Sequence, residues 1–252
     1  MTFAVPGDAY DRYVGRYSHE LAPRFLAFAG IEAGPALDVG CGPGALAAVL
    51  AARFGAPAVA AVDLSEPFVA ACRARVPGAD VRLASADDLP FADRAFGGAL
   101  SQLVLSFVAR PGRMAAEMAR VFRKGGVVAA CTFEANGFAL ARTFWDAALR
   151  LDPAAPDDAS IPFRRLPELV ALWKGTGLED VRTAVIDVEA AYAGFDDFWA
   201  PFASGIGPAA GYLVAQTEER RAAIREACRE ILGRPPGPFT LPARVLGVRG
   251  RA

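Results

Sequence analysis

The chain has one histidine, His19, and four scattered cysteines, Cys41, Cys72, Cys131 and Cys228, with no CxxC pair. So few clustered ligands argue against a zinc site or a disulfide framework. Net charge is nearly absent: 27 Lys and Arg stand against 28 Asp and Glu, giving −1. The signs are mixed along the chain, so no basic footprint of a nucleic-acid binder or membrane-surface helix is present. Long apolar runs are missing too, since stretches such as 45–52 are broken by Arg53 or Asp63, well short of a membrane span. Residues 1–8 have neither a basic n-region nor an apolar h-region. These absences predict a soluble, cytoplasmic protein without nucleic-acid or membrane partners.

What is present is core-forming material. Hydrophobic residues make up 54% of the 252 positions and charged residues 22%, enough for one generous domain or one domain with an inserted cap. After a helical segment at 18–30, short apolar runs at 36–40, 58–63, 80–84, 97–103 and 126–133 alternate with helical patterns at 44–54, 66–75 and 110–122. That alternation predicts a parallel sheet. The runs lack period-two patterning, as expected for strands covered on both faces. Ser65 is the expected N-cap of the helix carrying Glu66 and Pro67. Helical patterns continue at 139–150, 164–176 and 216–232, around a Pro- and Asp-rich loop at 152–162. Further strands are expected at 181–188 and 239–248.

The first strand ends in Leu37-Asp38-Val39-Gly40-Cys41-Gly42-Pro43-Gly44-Ala45. Glycines at alternate positions opening a helix let backbone approach a bound nucleoside closely. Gly40, Gly42 and Ala45 also satisfy the dinucleotide fingerprint G-x-G-x-x-G/A, and Asp63 at the end of the second strand suits a ribose in either kind of cofactor. Three further features separate the possibilities. Asp38 suits a cofactor bearing an ammonium and a sulfonium, and suits a pyrophosphate poorly. In Ala84-Ser85-Ala86-Asp87-Asp88-Leu89-Pro90-Phe91, an acid beside small residues can accept from an adenine amino group. Finally, Phe96 to Leu105 reads as a fourth strand, and Arg120 to Val128 as a helix end, a Gly-Gly turn and a fifth strand.

From about Ala36 to Phe133 this set resembles the class I S-adenosylmethionine-dependent methyltransferases, closest to the branch of ubiquinone and menaquinone biosynthesis. The resemblance implies a Rossmann-like α/β fold with a seven-stranded, mostly parallel sheet of order 3-2-1-4-5-7-6. It implies S-adenosyl-L-methionine as cofactor, S-adenosyl-L-homocysteine as product and a small-molecule methyl acceptor. Gly40, Cys41 and Gly42 would lie against the methionine part. Asp63 would bind the ribose, Leu64 would pack on the adenine, and Asp87 would bind the adenine amino group with Ala86 and Leu89 nearby. Gln102 would sit near the sulfonium. The aromatic segment Tyr10–Ser18 would cover the cofactor, with Arg16 and Tyr17 at the methionine end.

The single domain divides as an N-terminal helical lid (1–30), a cofactor-binding core (31–135), the rest of the core (136–188 and 239–252) and a helical cap (189–238). The aromatic spacing at 195, 198, 199 and 202 is that of one helix face, which reads as core packing or, alternatively, as an apolar substrate pocket. His19 and Glu134 are the candidates for a catalytic base, and Asn136 for substrate contact. Two other functions fit part of the pattern. One is a nicotinamide oxidoreductase, which leaves Asp38 and the Asp87 loop without a role. The other is an S-adenosylmethionine-binding protein without turnover.

Overall fold

The computed structural model describes residues 10–157, 161–203 and 207–251. Residues 1–9 of the expected lid, 158–160 of the Pro- and Asp-rich loop and 204–206 of the expected cap lie outside the described residues. A π-helical turn, Asp11–Gly15, runs into α1 (Arg16–Ala29), which Gly30 ends in the left-handed conformation that glycine adopts without cost.

The order continues as β1 (Ala36–Val39), α2 (Ala45–Phe54), β2 (Val59–Asp63), α3 (Glu66–Arg75), β3 (Asp80–Leu83), β4 (Phe96–Gln102) and α4 (Pro111–Val121). It completes with β5 (Phe122–Phe138), α5 (Ala139–Leu151), α6 (Leu166–Gly175), β6 (Glu179–Tyr192), α7 (Phe195–Ala203), α8 (Gly207–Val214), α9 (Glu218–Ile231) and β7 (Phe239–Arg251).

The seven strands lie in the order β3-β2-β1-β4-β5-β7-β6. Pairs among β1 to β5 are parallel, and β7 runs antiparallel to both β5 and β6. Strand order reverses beside β1, which opens a crevice at the carboxyl ends of β1 and β4.

Alternation along β5 shows why these strands carry no polar face. Val127, Ala129 and Cys131 join the apolar cluster on one side of the sheet, while Val128 and Ala130 join the cluster on the other. The second layer is built by α4 and α6, where Trp173 is fully buried and donates its indole N–H to the Val128 carbonyl at 3.2 Å. At the edge of the sheet, β6 alternates exposed and buried residues over its second half.

The segment between β6 and β7 carries α7, α8 and α9. Its aromatics pack against α5: Phe202 stacks on Phe144 with centroids 4.8 Å apart, and Tyr212 lies 5.6 Å from Trp145. Phe195, Phe198 and Phe202 are buried in the cluster that also holds Phe25 of α1. Each such ring contributes about 1.5–3 kcal/mol by leaving water. Phe195, Phe198, Trp199, Phe202 and Tyr212 therefore form core, and none of them lines the cavity at the sheet's crevice.

Two local expectations need correction. Ser65 stands at the N-cap of α3 with extended backbone, but its side chain makes no capping bond. Its N–H is instead committed to the Asp63 carboxylate. β5 begins at Phe122 rather than Gly126, because Phe122 pairs with Phe96 ahead of an irregularity in the register. Among the described residues, no helix is long and apolar enough to cross a membrane.

Candidate active site

A cavity of about 530 Å³ opens at the carboxyl ends of β1, β2, β4 and β5. Its floor begins at the glycine turn. Gly40, Gly42 and Gly44 all have positive φ, at 75°, 52° and 94°. The Gly40 and Cys41 N–H groups donate to the Val62 carbonyl at 2.8 and 2.9 Å, which pins the turn to β2. A Cβ at Gly40 would stand 2.5 Å from Val104, and one at Gly44 would stand 2.9 Å from the Cys72 sulfur. At Gly42 the nearest atom is 3.9 Å away, on the Tyr10 ring. Two of the glycines thus permit close packing, and Gly42 keeps its face clear.

Asp63 ends β2 at the cavity wall. Its carboxylate accepts from the Gly42 N–H and the Ser65 N–H, both at 2.9 Å. Burial nevertheless raises its pKa, with the backbone donors offsetting the shift in part. Each oxygen retains a lone pair for a further donor.

Behind the turn lies a small recess lined by Tyr10, Asp38, Cys41, Gly42 and Gln102 among others. Asp38 is fully buried in the middle of the sheet, opposite Ala61 and Leu100. Among the described residues, neither of its carboxylate oxygens has a hydrogen-bond partner, and the same holds for Gln102 Oε1. Burial and then the Asp63 charge push the Asp38 pKa up to about 8, against a partial lowering by the nearby Ala47 amide. The other end of the Gln102 amide donates to the Ser18 carbonyl at 3.1 Å. Buried polar atoms are almost always paired, so three orphaned acceptors around one recess mark a place for a donor-rich cation. The ammonium of an amino-acid moiety fits that donor set.

The remaining cofactor candidates divide. Leu64, 64% exposed, and Ala86 and Asp87 line the cavity. Both Asp87 oxygens already have partners, the Ser85 hydroxyl and Arg110 Nε, which hold its pKa low. Leu89 is buried behind the wall in the second apolar cluster, its N–H donating to Glu117, so it does not meet the cavity.

Arg16 and Tyr17 do not cover the cavity either. Arg16 forks onto the Asp197 carboxylate and donates to the Ala191 carbonyl, beside the Tyr192 ring. Tyr17 is fully buried with its hydroxyl 3.1 Å from that of Tyr192. The lining aromatics from this segment are Tyr13 and Tyr10, about one and two turns earlier. Tyr10 packs edge-on against Phe68 with centroids 5.2 Å apart, and burial raises its pKa strongly. The signal for them in the sequence is the shared helical face of positions 10, 13 and 17.

The candidate bases also lie elsewhere. His19 is half exposed, 3.6 Å from Asp11. Glu134 and Asn136 are not among the lining residues, and Asn136 accepts from Arg142. Phe133 and Phe138, which bracket them, do line the cavity. Arg164, which no motif singles out, lines it too, 5% exposed.

A family model described as a methyltransferase domain matches residues 37–130, the span of the glycine turn, Asp63, Asp87 and Gln102. A malonyl-[acyl-carrier protein] O-methyltransferase from Pseudescherichia vulneris is 30% identical over 192 residues, covering 75% of this chain and 74% of that protein. A phosphatidylethanolamine N-methyltransferase from Cereibacter sphaeroides is 33% identical over 47% of this chain and 60% of its own. Among solved structures, a geranyl diphosphate C-methyltransferase from Streptomyces coelicolor A3(2), in complex with S-adenosyl-L-homocysteine, superposes with a TM-score of 0.54 at 16% identity, covering 92% of this chain and 78% of that one. With the sheet order, the glycine turn and a relative aligned over most of both chains in agreement, the chain belongs to the class I S-adenosylmethionine-dependent methyltransferases.

Proposed function

We propose that the protein transfers the methyl group of S-adenosylmethionine to a small-molecule acceptor enclosed in the cavity beside β4 and β5. The observation that carries this reading is the group of orphaned acceptors, Asp38 Oδ1 and Oδ2 and Gln102 Oε1, around the recess behind the glycine turn. When bound, S-adenosylmethionine supplies an activated methyl that moves by in-line displacement, with S-adenosylhomocysteine as the product.

The chain's own residues hold and align. Asp38 and Gln102 receive the ammonium, and Gly40, Cys41 and Gly42 leave the backbone open to the methionine part. Asp63, already fixed by two backbone donors, accepts from the ribose hydroxyls. Leu64, Ala86 and Asp87 flank the adenine. Tyr10 covers the methionine end in place of the sequence candidates Arg16 and Tyr17. Alignment of this kind is worth several kcal/mol of barrier when it holds donor and acceptor in line.

The relatives act on different atoms: the first two are named as an O- and an N-methyltransferase. What the two names share is methyl transfer. The apolar walls Phe133, Phe138, Ala141 and Trp145 are suited to a small acceptor and to excluding water. Incubation with S-adenosylmethionine and a panel of small O-, N-, S- and C-nucleophiles should yield S-adenosylhomocysteine with at least one acceptor. Tight S-adenosylmethionine binding with no product across the panel would favour the binding protein without turnover.

A further inference from the structure

The segment inserted between β6 and β7 reaches the cavity through the start of α8. Its aromatics are core, but Gly207, Pro208 and Ala209 are lining residues. A Cβ at Gly207 would stand 3.5 Å from the Tyr13 ring, so α8 closes against the turn that precedes α1. The Tyr13 ring in turn lies 6.2 Å from Phe138, which stacks on Phe133 with centroids 4.1 Å apart. All three rings line the cavity, as do Ala141 and Trp145 of α5. This end is therefore walled by rings already fixed against one another.

The acidic lining residues Asp63, Glu66 and Asp87 belong to β2, α3 and the loop after β3, where the proposed function puts the nucleoside. Toward the end closed by α8, Arg164 is the one charged lining residue among the described residues, and it is already engaged within the protein. A charged group entering there gives up its hydration and meets rings and methyl groups in return, which do not repay the loss. An apolar body gains by the same exchange. Two alanines leave it room. Ala141 and Ala209, 5% and 2% exposed, bring no more than a methyl group to a wall otherwise made of large side chains such as Phe133, Phe138 and Trp145.

We propose that the methyl acceptor is an apolar molecule whose body, away from the atom that takes the methyl, is uncharged, and that Ala141 and Ala209 set the size of body admitted. This inference rests on the reading of the cavity as a donor and acceptor site, and it names the acceptor's class. Both alanines act here as specificity residues.

The test uses the full chain saturated with S-adenosylhomocysteine and three probes of one skeleton: 2-naphthol, 6-hydroxy-2-naphthoate and 6-aminomethyl-2-naphthol. Far from the hydroxyl, they carry no charge, a carboxylate and an ammonium respectively. Calorimetry should show 2-naphthol binding about tenfold or more tightly than either charged probe, because a charge buried without a partner is costly. Ala141→Leu and Ala209→Leu should each weaken 2-naphthol about tenfold by filling its space, with S-adenosylhomocysteine affinity unchanged. A charged probe bound as tightly as 2-naphthol, or no binding of 2-naphthol to the loaded protein, would overturn the proposal. So would a folded Ala141→Leu or Ala209→Leu protein that binds 2-naphthol as the wild type does. The wild-type comparison decides even where a variant fails to fold. Failure of S-adenosylhomocysteine itself to bind is a separate result, and it would count against the donor site.

Discussion

Asp38 is a carboxyl group in the middle of a strand whose other residues, Ala36, Leu37 and Val39, are buried and aliphatic. Its cost to the free protein depends on pH. The unfolded chain releases this proton near 3.8 and the folded chain near 8. Between those values the folded state binds more protons, so the stability contribution, fully present below 3.8, is lost as pH rises through 8. Asp38→Asn removes the titrating group, so its melting temperature should fall less between pH 5 and pH 8 than that of the wild type. An identical decline in both proteins would show that Asp38 does not hold its proton on folding. The same substitution should weaken S-adenosylhomocysteine binding by about ten- to a hundredfold if the ammonium meets this carboxylate.

At the scale of elements, the turn between β1 and α2 makes two different demands on its glycines. Gly40→Ala adds a Cβ 2.5 Å from Val104 at a φ of 75°, so both left-handed strain and overpacking apply. Their sum is on the order of 2–4 kcal/mol, visible in urea unfolding. Gly42→Ala meets only the Tyr10 ring at 3.9 Å and should cost roughly 1–2 kcal/mol of stability. It should lose cofactor affinity disproportionately, because its new methyl stands on the clear face of the turn. Similar affinity losses per unit of lost stability in both variants would remove the distinction between packing and binding glycines.

This turn is legible in the sequence because glycines at alternate positions between an apolar run and a helix have few other uses. The strands are legible for a similar reason. Two-sided burial makes β2 apolar up to Asp63 and β4 apolar up to Ser101, and leaves β1 aliphatic apart from Asp38; their shortness separates them from buried helices. Element α8 is not legible, since Gly207-Pro208 at its start gives a loop signal and its helical form depends on packing beneath α5 and α7. Tyr17 departs from its expected place because its ring packs edge-on against Phe133 and Phe138 and its hydroxyl meets that of Tyr192, contacts that no local pattern announces.

Over the whole molecule, the N-terminal helix is fastened to β6 and to the segment between β6 and β7. Arg16 pairs with Asp197 and the Ala191 carbonyl, Tyr17 meets Tyr192, and Arg24 donates to the Asp187 carbonyl at 2.6 Å. These ties join residues more than 160 positions apart, and no local pattern reveals them. Arg16 reads from sequence as a carboxylate-binding cation, which it is, but its carboxylate belongs to Asp197. Arg16→Ala should therefore lower stability by about 1 kcal/mol while cofactor affinity stays within about twofold. A stable Arg16→Ala protein with much weaker cofactor binding would return Arg16 to the site. Arg164 is hidden for the same reason, because its place at the β5 end depends on a backbone bond to Ala135.

Asp63 tests the donor site most directly. Its carboxylate stands at the cavity wall with both oxygens fixed by backbone N–H groups. S-adenosylhomocysteine should bind the wild type, and calorimetry on Asp63→Ala should show a loss of about 1.5–3 kcal/mol for each charged hydrogen bond removed, with the domain still folded. Unchanged affinity in a folded Asp63→Ala protein would contradict the ribose assignment and the placement of the cofactor built on it.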